Sequence, residues 1–277
     1  KAGSSNVLTA RDAYSFSLNY YTATVNGNTV NDYKSINNAV TPFVNNVFNL
    51  TNTDAATVAR PLFNGNIAAM AVNIPKLGAA QIYGYTYDQL NRIMSMDAFS
   101  GINNSNNTFA ASATANYKER ISYDANGNIK TYRRNGDAAR QYMDDMVYSY
   151  KAGKNQLDRV VDAAPDAVGN YELYNDLKRT QPNGSEGQAT GNYSYDAIGN
   201  LTADISESIT QISWSVYGKI LSISKAGGTI SYTYDASGNR ISKTANNKTT
   251  WYVRDASGNV MAVYEKQATA NLKQTEV

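Results

Sequence analysis

A five-residue phrase, Asp-x-x-Gly-Asn, returns again and again between Asp124 and Asn259, usually with Tyr just before it and an aliphatic residue just after. A chain that repeats a turn rather than a catalytic constellation is constrained in architecture first, because it must fold back wherever the phrase occurs. The copies are Tyr123-Asp124-Ala125-Asn126-Gly127-Asn128, Tyr195-Asp196-Ala197-Ile198-Gly199-Asn200, Tyr234-Asp235-Ala236-Ser237-Gly238-Asn239 and Asp255-Ala256-Ser257-Gly258-Asn259. A fainter one begins at Asp166, and Tyr87-Asp88-Gln89-Leu90-Asn91 carries Asn where the others carry Gly. After Gly, Asn best tolerates a positive φ, so the exchange keeps the turn.

Three positions before these aspartates stand Tyr85, Ile121, Tyr193, Tyr232 and Tyr252; one position before stand Tyr87, Tyr123, Tyr195 and Tyr234. A spacing of two puts each pair on one face of a β-strand. The Asp carboxylate can accept N–H groups two or so residues on, and the Gly supplies the left-handed step that reverses the chain. The sequence thus predicts an all-β fold of antiparallel hairpins, with Tyr87, Asp88, Tyr123, Asp124, Gly127, Asn128, Tyr195, Asp196, Gly199, Asn200, Tyr234, Asp235, Gly238, Asn239, Asp255, Gly258 and Asn259 as its structural turn motif.

The remaining segments vary this theme. Alternation of Tyr14, Phe16, Leu18 and Tyr20 predicts a strand, and Asn26-Gly27 and Asn64-Gly65 each predict a hairpin. Residues 34–59 fit neither period and read as an excursion with a short helix; 101–115 reads as a polar loop and 133–146 as a helical or irregular insertion. Residues 1–80 form an N-terminal β-hairpin region with that excursion, and 81–277 form the repeat region, the two continuing as one sheet. The aspartates at 88, 124, 196, 235 and 255 are spaced too unevenly for a solenoid of regular rungs.

The chain has 277 residues, enough for a substantial core, and contains neither His nor Cys. Those absences remove the usual nitrogen and sulfur metal ligands, disulfides, and Ser/His or Cys/His catalysis. With a net charge of +2 there is no field to steer a polyanion, so nucleic acid is not an expected partner. The longest apolar runs are too short to span a bilayer as a helix. Residues 1–10 lack the apolar core of a signal peptide, so an export signal is expected upstream.

The repeats, together with Trp214-Ser215-Val216-Tyr217-Gly218-Lys219-Ile220 and Tyr252-Val253-Arg254-Asp255, resemble the YD repeats of the bacterial Rhs family, which are related to repeats of insect-toxin complex shell subunits and of teneurins. The resemblance is specific from about 83 to 264. It implies an antiparallel ribbon spiralling into a hollow shell, which in bacterial members encloses a C-terminal toxin. The implied function is structural: a shell segment of a secreted or cell-surface protein that encloses a polypeptide cargo, a toxin. Its implied partners are the remainder of the same shell, or other chains, covering the sheet edges. The family's plug, self-cleavage region and toxin have no counterpart within the chain, so no residue roles from them carry over.

The turn phrase superficially matches the start of a calcium loop, but each copy offers one carboxylate where such a loop needs several. Asp144-Asp145 diverge as neighbours, and a glycosidase-type pair could come only from distant residues such as Asp88, Asp124 or Glu172. No enzymatic activity and no cofactor or metal is expected. Arg133-Arg134 and Lys178-Arg179 read as solvated doublets. The tyrosine-rich faces offer an alternative function, a cell-surface adhesion module that binds glycan by ring stacking, against which stands cross-strand pairing of the same rings.

Overall fold

A computed structural model of the chain describes residues 13–26, 28–31, 60–74, 76–78, 80–101, 112–139, 141, 143–164, 177 and 186–276. Among the described residues every regular element is a β-strand, paired antiparallel with its neighbours. The chain divides into two compact units, one of residues 1–147 with 163–174, the other of 148–162 with 175–277.

The first unit holds β1 (Ser15–Asn19), β2 (Thr22–Val25), β3 (Asn28–Asn31), β4 (Ala69–Asn73), β5 (Gln81–Tyr87), β6 (Ile93–Ser100), β7 (Ser112–Ala113), β8 (Glu119–Tyr123) and β9 (Ile129–Arg134). The strand β10 (Asp144–Tyr150) contains the boundary between the units. Strand order is β1-β4-β5-β6-β8-β9-β10, with β7 also on β6, while β2 and β3 make a separate hairpin. One face of this sheet is a packed core in which small and large residues alternate across strands: Ala71 faces Ile82, and Ile82 faces Phe99. Ile82 is fully buried and Phe99 is 1% exposed. Asp97, on that same face, is buried as well. Its carboxylate accepts from Arg120 Nη2 at 2.7 Å, and Arg120 Nη1 donates to the Met96 and Glu119 carbonyls. A buried charge is tolerable only when paired and hydrogen-bonded in this way.

The second unit holds β11 (Leu157–Asp162), β12 (Glu186–Gly187), β13 (Tyr193–Tyr195), β14 (Leu201–Asp204), β15 (Ile209–Trp214), β16 (Ile220–Lys225), β17 (Gly228–Tyr234), β18 (Arg240–Ala245), β19 (Lys248–Arg254), β20 (Val260–Gln267) and β21 (Lys273–Glu276). From β13 to β21 the sheet is a simple meander in which each strand pairs with the next. Beside it, β11 pairs with β12, and the gap to β13 and β14 is closed by buried amides. Gln188 Oε1 accepts from the Val160 N–H at 2.9 Å, and its Nε2 donates to Tyr193 OH at 2.8 Å. Asn192 continues the link, donating to Asp204 and accepting from the Ser206 N–H.

Two expectations are corrected by the structure. Of the helical or irregular insertion expected at 133–146, the helical form and the bounds are corrected: Arg133 and Arg134 end β9, Asp144 to Met146 open β10, and the described residues between them are irregular with no helix. Opposite charges directly across the ladder explain it, because Arg134 faces Asp144 and Arg133 faces Asp145, with N···O distances of 2.5 Å and 2.8 Å. The basic doublet and the acidic doublet are therefore each other's partners. The second correction concerns Asn64-Gly65, which makes a bend leading into β4 rather than a strand-to-strand hairpin. Its neighbours bond elsewhere: Asn64 and Asn66 both donate to Asn91 Oδ1, at 2.8 Å and 3.0 Å. The excursion at 34–59, the Asp166 copy, Glu172 and Lys178-Arg179 lie outside the described residues, as does most of the polar loop at 101–115.

Candidate functional site

The feature that recurs in both units is the turn, and its geometry is nearly invariant. In each copy the N–H of the fourth residue donates to the Asp carbonyl, at 3.0 Å from Asn91 to Asp88, 3.1 Å from Gly127 to Asp124, 3.2 Å from Gly199 to Asp196, 3.0 Å from Gly238 to Asp235 and 3.1 Å from Gly258 to Asp255. The Asp N–H in turn donates to the carbonyl of the fifth residue, closing the loop. The fourth residue sits in the left-handed region, with φ of 93° at Gly127, 95° at Gly199, 81° at Gly238, 89° at Gly258 and 62° at Asn91. A β-turn closed by one left-handed residue forces a bulge, and the register slips in the same place each time, between Ser122 and Tyr123, Ser194 and Tyr195, and Thr233 and Tyr234.

The Asp side chain is consumed inside the turn. At Asp124, Oδ1 accepts from the N–H groups of Asn126 and Asn128, each at 2.9 Å, and Oδ2 accepts from Asn128 Nδ2 at 2.8 Å. Asp196, Asp235 and Asp255 are held by Asn200, Asn239 and Asn259 in the same way. Asp88 takes Arg92 instead, with Nε at 2.6 Å. These contacts hold the carboxyls below their usual range. The Asn128, Asn239 and Asn259 side-chain amides are the largest cause at Asp124, Asp235 and Asp255, and the Arg92 N–H is the largest at Asp88. At Asp196 desolvation is the largest influence and pushes upward, but the Asn200 side chain and the backbone donors outweigh it together.

One further turn belongs to the series and lacks the aspartate. Between β15 and β16 the Ser215 N–H donates to the Lys219 carbonyl at 2.7 Å, Gly218 donates to the Ser215 carbonyl at 3.1 Å, and Ser215 Oγ accepts from the N–H groups of Tyr217 and Lys219. With it, the turns of the meander fall at 196, 215, 235 and 255, an even spacing that counting aspartates had hidden. The signal was present in Gly218, which has φ of 70°. At the opposite ends of the strands, Asn246 and Asn247 both take positive φ, the signature of a two-residue hairpin turn.

The turns are joined to one another by the residue that precedes each Asp. Tyr87 OH donates to the Ile67 carbonyl at 2.8 Å, and Tyr123 OH to the Ile93 carbonyl at 2.9 Å. Tyr195 OH reaches the Leu157 carbonyl at 3.0 Å, Trp214 Nε1 the Leu201 carbonyl at 2.8 Å, and Tyr234 OH the Ile220 carbonyl at 2.8 Å. Arg254 Nε completes the series on the Arg240 carbonyl at 3.2 Å. The acceptor in the Asp and Ser turns is always the residue just beyond the previous turn, where the bulge interrupts the ladder. Sequence reasoning placed these tyrosines on one face and missed this use of the phenol, because an inter-turn bond has no local signature.

Packing follows the same rule. A Cβ on Gly238 would come within 3.3 Å of Lys219 Cε, and one on Gly258 within 3.3 Å of Asn239 Nδ2. The fifth residue of one turn thus lies over the fourth residue of the next. Cations cover several rings: Arg92 stands 4.4 Å from the Tyr123 centroid, Lys151 5.4 Å from Tyr195, and Arg240 5.3 Å from Tyr252.

Among the described residues no group of three or more His, Cys, Asp or Glu could hold a metal ion. No described helix is long and apolar enough to cross a membrane, a statement that does not extend to crossing by strands.

No known family profile and no curated protein matches the chain. Solved structures similar to it include a crystal structure of TcdB2-TccC3-TEV, at 11% identity and a TM-score of 0.33 over 79% of this chain and 12% of that one. Another is the pore form of the Photorhabdus luminescens Tc holotoxin, at 13% identity and a TM-score of 0.28 over 73% of this chain and 13% of that one. The chain therefore spans only a small part of the length of either.

Proposed function

We propose that this chain is a wall segment: a stretch of antiparallel sheet in a larger YD-repeat shell, secreted or displayed at the cell surface, that encloses a polypeptide cargo of the toxin class. The observation that carries the reading is the row of interlocked turns. Each hairpin is pinned to its predecessor by a side-chain donor on a main-chain carbonyl, so neighbouring hairpins resist opening individually and leave few free N–H and C=O groups along the row. The mechanism is physical exclusion, with proteases and other chains kept from what the wall covers. No described residue is given a bond-making role, and the turn carboxylates are already occupied by donors of their own turn.

The glycan-binding alternative needs rings with free faces and free hydroxyls. Tyr87, Tyr123, Tyr195 and Tyr234 spend their hydroxyls on carbonyls, which favours the wall over the adhesin. Proteolysis of the full-length protein tests the proposal. An enclosed polypeptide should survive trypsin at doses that digest it when free, and should become susceptible only in denaturant that also unfolds the sheet. Digestion at the rate of the free polypeptide sinks the wall reading. Saturable binding on a glycan array, abolished by replacing a few exposed rings such as Trp251, would establish the adhesin in its place.

A further inference from the structure

The first unit carries a concavity of about 380 Å³ on the sheet face opposite the Ile82 and Phe99 core. Its floor is a cross-strand row in which Tyr85 faces Met96, Met96 faces Glu119, and Glu119 faces Arg134. Tyr83 and Met70, themselves cross-strand partners, flank the row, and Tyr117 lines the concavity as well.

Three properties set this place apart from the other tyrosines of the chain. First, among the described residues Tyr123, Tyr195, Tyr232 and Tyr252 each have an Arg or Lys over the ring, whereas Tyr83, Tyr85 and Tyr117 have no described Arg or Lys over theirs. Second, its charge is uneven. The Arg134 guanidinium is bound to the buried Asp144 at 2.5 Å, so it is neutralised from behind. Glu119, which lines the concavity, accepts the Tyr132 hydroxyl at 3.0 Å and faces that same Arg134 across the ladder, so two carboxylates share one cation. Burial and that hydrogen bond push the Tyr132 phenol up to about 12, so it remains a neutral donor and does nothing to cancel the carboxylate. Third, Tyr117 adopts φ of 56°, a left-handed conformation that a bulky side chain rarely takes. Its N–H donates to the Gly136 carbonyl at 2.9 Å, and the return bond from Asn135 to the Lys118 carbonyl holds the strained residue in place.

Aromatic rings with no described cation over them, a polarizable thioether and a carboxylate that shares its one cation with a second carboxylate are the chemistry that recognises an organic cation. We infer that this concavity binds an alkylammonium group through Tyr83, Tyr85, Tyr117 and Glu119. The group is either a free quaternary amine or the ammonium end of a polypeptide lysine; both present the same positive head on an apolar body. The inference does not depend on the wall reading, since the site stands on the first unit alone.

Titration of the purified chain with choline, with its neutral isostere carrying tert-butyl in place of trimethylammonium, and with a blocked lysine amide tests it by NMR shift mapping. Choline or the lysine amide should perturb the rings of Tyr83, Tyr85 and Tyr117, and the neutral isostere should not. Preference between the two cations identifies the source. Glu119→Gln should weaken cation binding by about five- to thirty-fold. Tyr117→Gly removes one ring while relieving the left-handed strain, so it should weaken binding without lowering the thermal midpoint. The inference is overturned if neither cation binds, if the neutral isostere binds equally well, or if Tyr117→Gly leaves the affinity unchanged.

Discussion

The two units are built from the same strands and turns yet are held together differently. In the first, Ala69, Ala71, Ile82 and Phe99 are buried on one sheet face, and the buried Asp97 sits beside them, paired with Arg120. In the second, the buried apolar residues among those described are Val160, Ile212, Ala262 and Val263, spread over β11, β15 and β20. Most other residues of the meander are half-buried or exposed on both faces. What the second unit lacks in core it has in periodicity, with an unbroken run of turns joined by Trp214, Tyr234 and Arg254. The contrast teaches that a sheet can draw on either area removed from water or a repeated set of small directional bonds, the former concentrated and the latter distributed.

The sharpest way to break this comparison is to remove one large residue from the core. Phe99→Ala should destabilise the first unit by about 3–5 kcal/mol, read from urea unfolding. An equal loss from a single ring of the meander would show that the distinction is false. A smaller effect is expected at Gly238→Ala, about 1–2 kcal/mol, because an L side chain must adopt the left-handed conformation while crowding Lys219. Gly227→Ala, with nothing within 4 Å of its Cβ, serves as the near-neutral control.

Distributed bonding predicts modest penalties for single links. Tyr234→Phe keeps the ring and removes only the donor to the Ile220 carbonyl, and should lower stability by about 1 kcal/mol. In the opposite direction, Ser215→Asp restores the missing carboxylate opposite Lys219 and should raise stability by about 0.5–1 kcal/mol in the same unfolding assay.

Acid should separate the units least, since both contain the turn. The folded-state pKa values of Asp88, Asp124, Asp196, Asp235 and Asp255 are depressed, so their contribution is complete above the ordinary aspartate value of about 3.9. It is lost as pH falls through the depressed values, where the folded carboxylates finally take up protons. The effect per turn is small because all five groups are at the surface. Urea midpoints measured from about pH 6 down to about pH 3 should show the decline, and Asp235→Asn combined with Asp255→Asn should make it shallower.

Much of this architecture was legible because its signals are local. Gly at a left-handed step, Asp before it and rings at a spacing of two all sit within one short window, so antiparallel hairpins could be expected from the chain alone. Two classes of feature escaped. Ser215 lies in a phrase that matches the repeats, but its turn is not evident from the chain alone, because a hydroxyl does half of what a carboxylate does at that place. Arg133-Arg134 and Asp144-Asp145, taken one segment at a time, read as a solvated doublet and a diverging pair. Their meaning is relational, set by a register that is not written in either segment. The concavity over Tyr85 and Glu119 is of that second kind, since its floor draws one residue from each of several strands.

The atom that receives Tyr234, Trp214 or Arg254 belongs to the main chain, so no point mutation can delete it. Only the giver must be kept, and three chemically unlike side chains already serve in that post. Such a lineage can replace nearly every letter of its text while each hairpin still finds the same place to fasten.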